Sequence, residues 1–226
     1  MTKYICFSFL FFMILSVGCK KKDTTLPVIE LIGDANVSSP LNATYTDQGA
    51  SAMDDEDGDL RSVIEVDNPV NKDSAATYTV TYTVMDASGN ESSVTRNVRI
   101  YNEAEAYAGS YTVADETPFG IGSTTNYTET ISVSKSVNKR MWVTTFGNQV
   151  NGKAYFDVNL TTNSLSIPTQ TVVCGSPAVS RTFGNPIGSS LSSSISTGSV
   201  TIINMYFSHV TLSTPNNVCK GIYTKL

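Results

Sequence analysis

Histidine is almost missing from this sequence. His209 stands alone, with no second histidine to share a metal and no Gly-x-Ser-x-Gly turn to mark an acyl-transfer nucleophile. A catalytic set needs a nucleophile, a base and an orienting group, and none is recognisable, so the expectation is a protein that is not an enzyme. Carboxylate pairs can be picked from any chain with 20 acidic residues, and here they carry no weight alone. Basic residues are few, 15 Lys and Arg against 20 Asp and Glu, and they form no clustered face, which excludes nucleic acid as a partner. Helical periodicity is absent throughout, and no apolar run reaches the roughly 20 residues of a membrane helix. Tryptophan occurs once, at Trp142, and cysteine four times, at positions 6, 19, 174 and 219.

What the chain has in quantity is β-pattern. Tyr78, Val80, Tyr82 and Val84 alternate with threonines, the period-two signature of a half-buried strand. Val94, Val98 and Ile100 continue that parity after the turn residues Asp86-Ala87-Ser88-Gly89-Asn90, which predicts a hairpin over residues 73–101.

The N-terminus reads as a processing segment. Tyr4 to Val17 is an apolar run of about 14 residues, too short to span a bilayer and suited to a signal-peptide core. Leu15-Ser16-Val17-Gly18-Cys19 resembles the lipobox of bacterial lipoproteins, in the looser form common in Bacteroidetes. The resemblance implies cleavage after a signal peptide of residues 1–18, lipidation of Cys19 and a tether over 19–26, with attachment to a membrane through the lipid. Lys20-Lys21-Lys22, beside such an anchor, reads as a headgroup contact. Outer-membrane and cell-surface display is the expected address.

The remaining two cysteines, Cys174 and Cys219, fall in the second half of an exported chain. An oxidising envelope favours a disulfide between them; two buried thiols are the alternative.

Short strands separated by turns follow the tether: residues 27–34, 43–50 and 61–66, then the hairpin. The ordered blocks Asp-Thr-Thr-x-Pro-Val-Ile-x-Leu-x-Gly-Asp, Tyr-Thr-Asp-x-Gly-Ala, Asp-x-Asp-Gly-Asp-Leu and Tyr-Thr-Val-Thr-Tyr-Thr-Val-x-Asp-x-x-Gly-Asn resemble the bacterial immunoglobulin-like domain of surface proteins and some pesticidal crystal toxins. The resemblance implies an Ig-like β-sandwich over 27–101. Tyr78 is placed as its tyrosine corner, and with no cysteine in this unit hydrophobic packing is expected to join the sheets.

After a polar linker, 102–106, residues 107–226 are again strand after strand, which predicts an antiparallel β-barrel or sandwich. Leu165 to Val172, with Tyr107-Ala108-Gly109-Ser110-Tyr111 and Gly221-Ile222-Tyr223, resembles the lipocalin-like modules that follow Ig-like domains in Bacteroidetes lipoproteins. Ser189 to Ser199, rich in serine and glycine, reads as a loop. The fold class is all-β throughout.

Three constellations could carry chemistry. The acidic loop Asp54-Asp55-Glu56-Asp57-Gly58-Asp59 sets Asp55, Asp57 and Asp59 at alternate positions with a glycine between, as a Ca²⁺ ion would require; the alternative is a solvated loop with no cofactor, its aspartates capping turns. Trp142, Tyr127 and Tyr155, with Phe146, would form a stacking platform for sugar rings, or else core packing. Asp73-Ser74-Ala75 and Asp23-Thr24-Thr25 resemble a Bacteroidetes O-glycosylation acceptor. The expected function is a non-enzymatic binding or accessory module that captures glycan or peptide, beside a TonB-dependent outer-membrane transporter. Its alternative is a structural or adhesive surface protein without a small ligand.

Overall fold

The computed structural model describes residues 22–117, 123–149, 151–176, 178–185, 193–197, 201–211 and 214–226, and of residues 117, 123, 202, 206–211 and 214–218 the backbone alone. The signal segment and Cys19 lie outside the described residues. Seventeen strands and three short 3₁₀ turns make up the secondary structure among them.

The first unit is a two-layer sandwich. One layer holds β1 (Val28–Leu31), β3 (Ala50–Asp54) and β4 (Gly58–Asp59); the other runs β2 (Asn36–Pro40), β7 (Glu91–Tyr101), β6 (Ala76–Met85), β5 (Glu65–Asp67), with β2 parallel to β7. The expected hairpin is β6 and β7, paired from Ala76↔Ile100 to Met85↔Glu91. Its alternation works as read: Val80, Tyr82, Val84, Val98 and Ile100 are buried, while the threonines between them face outward. Asp86 shapes the turn, its Oδ1 accepting the N–H groups of Ser88 (2.9 Å) and Asn90 (2.8 Å), with Gly89 at φ 88°. Tyr78 donates its hydroxyl to the Ser74 carbonyl at 2.9 Å, the backbone bond upstream that a tyrosine corner makes.

Hydrophobic packing is not the sole link between the layers. Arg96, 1% exposed, projects inward among apolar neighbours. It donates to Asp47 Oδ1 (2.6 Å), the Tyr82 hydroxyl (3.0 Å) and the carbonyls of Ile32 (2.6 Å), Gly49 (3.2 Å) and Asp34 (3.0 Å). Tyr45 and Tyr82 both donate to Asp47, and so does the Gly49 N–H. One guanidinium thus stitches the ends of β1 and β3 to β6 and β7, across the layers that a disulfide joins in antibody domains.

The second unit is a closed barrel. In chain order its ring contains β8 (Gly109–Thr117), β9 (Ser123–Val133), β10 (Arg140–Val143), β11 (Ala154–Asn159), β12 (Ser164–Ser166), β15 (Ser193–Thr197), β16 (Thr201–Thr211) and β17 (Thr214–Lys225), each antiparallel to the next. β17 returns to β8, with Tyr223 opposite Val113, and leaves no edge in the ring. A side hairpin, β13 (Gln170–Cys174) and β14 (Val179–Gly184), joins the far end of β16. The serine-rich stretch expected as a loop therefore contains β15, whose Ile195 and Ser193 are buried where β15 bridges β12 and β16. Between Ser164 and Cys174 the chain forms two strands, β12 and β13, separated around Pro168, which cannot donate to a ladder.

At eight strands a barrel is just wide enough to be filled by its own side chains. Tyr111, Val113, Ile131, Met141, Val143, Phe156, Val158, Leu165, Ile203, Met205 and Tyr223 are buried in one cluster, and Phe146 meets Phe183 edge-to-face at 5.0 Å. Gly221 makes room for this: a Cβ there would stand 2.8 Å from Tyr223 Cε2.

The two units interlock. Residues 102–106, expected as a linker, fold into a turn around Asn102, whose side chain reaches the β9–β10 connection. On the other side of that connection, Asn42 donates to the Ser136 carbonyl and accepts from the Asn138 N–H, and the Ala75 N–H donates to the Lys135 carbonyl at 2.7 Å.

Candidate functional site

The outer wall of the barrel carries an aromatic pair. Trp142 on β10 lies directly opposite Tyr155 on β11, with ring centroids 5.1 Å apart and the planes tilted by 58°. Both are half-exposed, because their neighbours Met141, Val143, Ala154 and Phe156 take the inward positions of the same strands. Arg140 and Asp157 form the next cross-strand pair on that face, joined by two bonds of 2.7 and 2.9 Å. The Arg140 guanidinium sits 4.0 Å from the Tyr155 ring centroid, and Lys153 Nζ sits 4.7 Å from that of Trp142. The face reads Lys153, Trp142, Tyr155, Arg140, Asp157.

Its backbone is held from the side. Where β12 stops short of Tyr155, Gln170 takes the place of a neighbouring strand: its Oε1 accepts the Tyr155 N–H (2.9 Å) and its Nε2 donates to the Tyr155 carbonyl (2.7 Å). Rings fixed this way offer rigid, amphipathic area of the kind that stacks on flat apolar faces of ligands. Arg140, Lys153 and Gln170 were absent from the sequence expectation. Arg140 and Trp142, and likewise Lys153, Tyr155 and Asp157, share a parity, and that was the available signal.

Tyr127 is not part of this face. It turns into the barrel beside Tyr223 and Asp115, and burial pushes its hydroxyl pKa well above the ordinary value. Phe146 is likewise core. The structure therefore splits the expected platform, bringing Trp142 and Tyr155 together and sending Tyr127 inside. A groove of about 620 Å³ lies elsewhere, over β8, β9 and β17, and Tyr127 lines it with Thr112, Asn126, Thr128, Ile222 and Thr224.

Inside the barrel, Glu129 is buried and spent on structure. Its oxygens accept the N–H groups of Thr130, Thr144 and Thr145 and the hydroxyls of Thr144 and Thr145, which braces the corner after β10. His209 is described only in its backbone, opposite Phe183 and Asn217 in the sheet.

The cysteine expectation needs correction. Cys174 and Cys219 are buried thiols and not a disulfide. The strand order β13-β14-β16-β17 sets them three strands apart, roughly 14 Å along the sheet, whereas a bridge needs Cα atoms about 6 Å apart. Burial pushes the Cys174 thiol pKa up.

The acidic loop is also rearranged. Asp59 accepts the Arg61 N–H and stands apart, while Asp54 turns inward to meet Asp23 and Asp55 on one side and Asp57 and Asp86 on the other. Asp55 and Asp57 thus keep a place in an acidic cluster, and Asp59 does not.

Residues 29–100 match the family model of the bacterial surface protein Ig-like domain. Among curated proteins no sequence matches the chain. A solved lipoprotein from Bacteroides thetaiotaomicron aligns over 89% of this chain and 100% of its own, at 13% identity and a TM-score of 0.34. A Clostridium perfringens ZmpB structure, described as CBM51-2 in complex with GlcNAc and INT domains, aligns over 88% of this chain and 43% of its own, at 16% identity and a TM-score of 0.30. Scores this low do not establish a shared fold. No helix among the described residues is long and apolar enough to cross a membrane.

Proposed function

We propose that this chain, whose residues 29–100 are an Ig-like domain of the bacterial surface type, is a lipid-anchored, non-enzymatic surface protein in which that domain is a spacer and the barrel captures glycan on its outer wall. The observation that carries the reading is the Trp142–Tyr155 pair, half-exposed and braced on a rigid sheet. The interior of the eight-stranded barrel is filled by its own side chains, so the reading puts the ligand on the outside. Sugar rings present C–H faces that stack on indole and phenol, and Lys153 and Arg140 stand ready for hydroxyl or acidic substituents at the rim. Attachment through Cys19 and a neighbouring outer-membrane transporter belong to the same proposal.

The test is a glycan array probed with the full chain and with Trp142→Ala. The expected result is a hit class whose binding falls about five- to a hundredfold in the variant, taking the roughly 1–3 kcal/mol that an aromatic contributes when a nucleobase stacks on it as the scale. Equal binding by both proteins would move the site away from this face. The second reading, a structural or adhesive stalk, draws on the interlocked joint around Asn102, and an array without any hit would favour it.

A further inference from the structure

The acidic loop expected to bind through alternate aspartates is organised in the fold around a different residue. Carboxylate oxygens of Asp23, Asp54 and Asp55 lie within 4.8 Å of one another, and those of Asp54, Asp57 and Asp86 form a second such group that shares Asp54. No Lys or Arg among the described residues forms an ion pair with any of these five. Charge of one sign is thus concentrated there without an ion-paired partner among the described residues.

Two of these carboxylates are buried as well. Asp54 is 5% exposed and Asp23 8%. Each uses Oδ1 for the backbone: Asp54 accepts the N–H groups of Glu56 (2.9 Å) and Asp57 (3.0 Å), and Asp23 accepts that of Thr25 (2.9 Å). Each keeps Oδ2 buried, and no group among the described residues donates to it. Buried carboxylate oxygens are costly when nothing compensates them. Asp57 and Asp86, by contrast, have oxygens engaged by the Ala87 N–H and by Ser88 and Asn90. The unmet demand therefore lies between Asp23, Asp54 and Asp55.

We propose that Asp23, Asp54 and Asp55 hold a Ca²⁺ ion that fastens the tether segment to the Ig-like domain. A hard cation takes carboxylate oxygens at about 2.3–2.6 Å, tolerates irregular geometry and completes its shell with carbonyls and water. Asp57 and Asp86 add negative potential on the far side of Asp54. Asp23 is the member that gives the site a purpose, since it stands four positions after Cys19 and before β1. Among the described residues, the long hydrogen bond from Asn90 Nδ2 to its carbonyl, 3.4 Å, also ties it to the domain. The ion would turn a tether into a fixed stem at the base of the spacer.

The experiment is isothermal titration of the full lipidated chain in detergent with CaCl₂ after EDTA treatment, for the wild type and for Asp54→Asn, Asp23→Asn and Asp59→Asn. The expected result is one saturable site in the range of extracellular calcium modules, about 10⁻⁴–10⁻³ M. Asp54→Asn and Asp23→Asn should weaken it more than tenfold, and Asp59→Asn should leave it unchanged. Asp23 lies outside both sheets, so its variant decides the matter even if Asp54→Asn fails to fold. No saturable binding by the wild type, an unchanged Asp23→Asn, or an Asp59→Asn as weak as Asp54→Asn would each overturn the site.

Discussion

Asp47→Ala should destabilise the Ig-like unit by about 3–5 kcal/mol, the cost of leaving a buried charge without its partner. Arg96 would then keep its guanidinium in the core with only carbonyls and the Tyr82 hydroxyl around it. Tyr45 and Tyr82 would lose their common acceptor in the same step. Chemical denaturation followed by circular dichroism reads the effect. Arg96→Met in the Asp47→Leu background should recover much of the loss, because an apolar pair of similar volume needs no compensation. Equal stability of wild type and Asp47→Ala would show that the sandwich is held by packing alone.

The same carboxylate sets an acid limit. Burial alone would raise the pKa of Asp47, but hydrogen bonds from Tyr45, Tyr82, the Gly49 N–H and Arg96 outweigh it and hold the group at about 2, below its ordinary 3.8. A pKa depressed in the folded state means that the unfolded chain takes up the proton first as pH falls. The contribution of Asp47 is therefore complete above about pH 4 and erodes between there and pH 2. In Asp47→Ala that part of the acid slope should be missing.

Asn102→Ala should cost about 3 kcal/mol and loosen the joint between the units. The side chain is 1% exposed and uses its whole amide. Its Nδ2 donates to the carbonyls of Ser134 (2.9 Å), Val137 (3.0 Å) and Arg140 (3.4 Å), while its Oδ1 accepts from Ala104 and Lys139, each at 2.9 Å. Truncation strands several buried backbone groups at once, and each such group costs roughly 1–3 kcal/mol. Asn102→Asp should be worse at neutral pH, since it points a carboxylate oxygen at three carbonyls. Calorimetry gives the stability, and small-angle scattering gives the spread of inter-unit orientations. A wild-type profile from Asn102→Ala would mean that the contacts of Asn42 and Ala75 hold the joint unaided.

The β6–β7 hairpin was readable because burial alternates with the pleat, and the residue alternation reports that directly. Arg96 sits on the same parity as Val94, Val98 and Ile100 and shows as a charge on an apolar face. Its partner Asp47 lies on a distant connection that residue patterning cannot reach. β15 was hidden for a different reason: Ser193-Ser194-Ile195-Ser196-Thr197 has one apolar residue, and its neighbours β12 and β16 make it a strand. The acidic residues were visible, but their choice was not, since Asp23 and Asp86 enter the cluster from outside the loop. Trp142 and Tyr155 meet as a cross-strand pair, as residue parity allows. Tyr127 was grouped with them although Ile131 and Val133, on its own parity, face the core.

Trp142 is the only tryptophan in the chain, so intrinsic fluorescence reports on the candidate site alone. The measurement that tests the central claim is a titration of tryptophan emission with the best glycan from the array, run beside calorimetry on the same samples. The account predicts a saturable change in intensity or wavelength whose midpoint matches the calorimetric one. Calorimetric binding with unchanged emission would place the ligand elsewhere on the barrel and contradict the assignment of Trp142 and Tyr155.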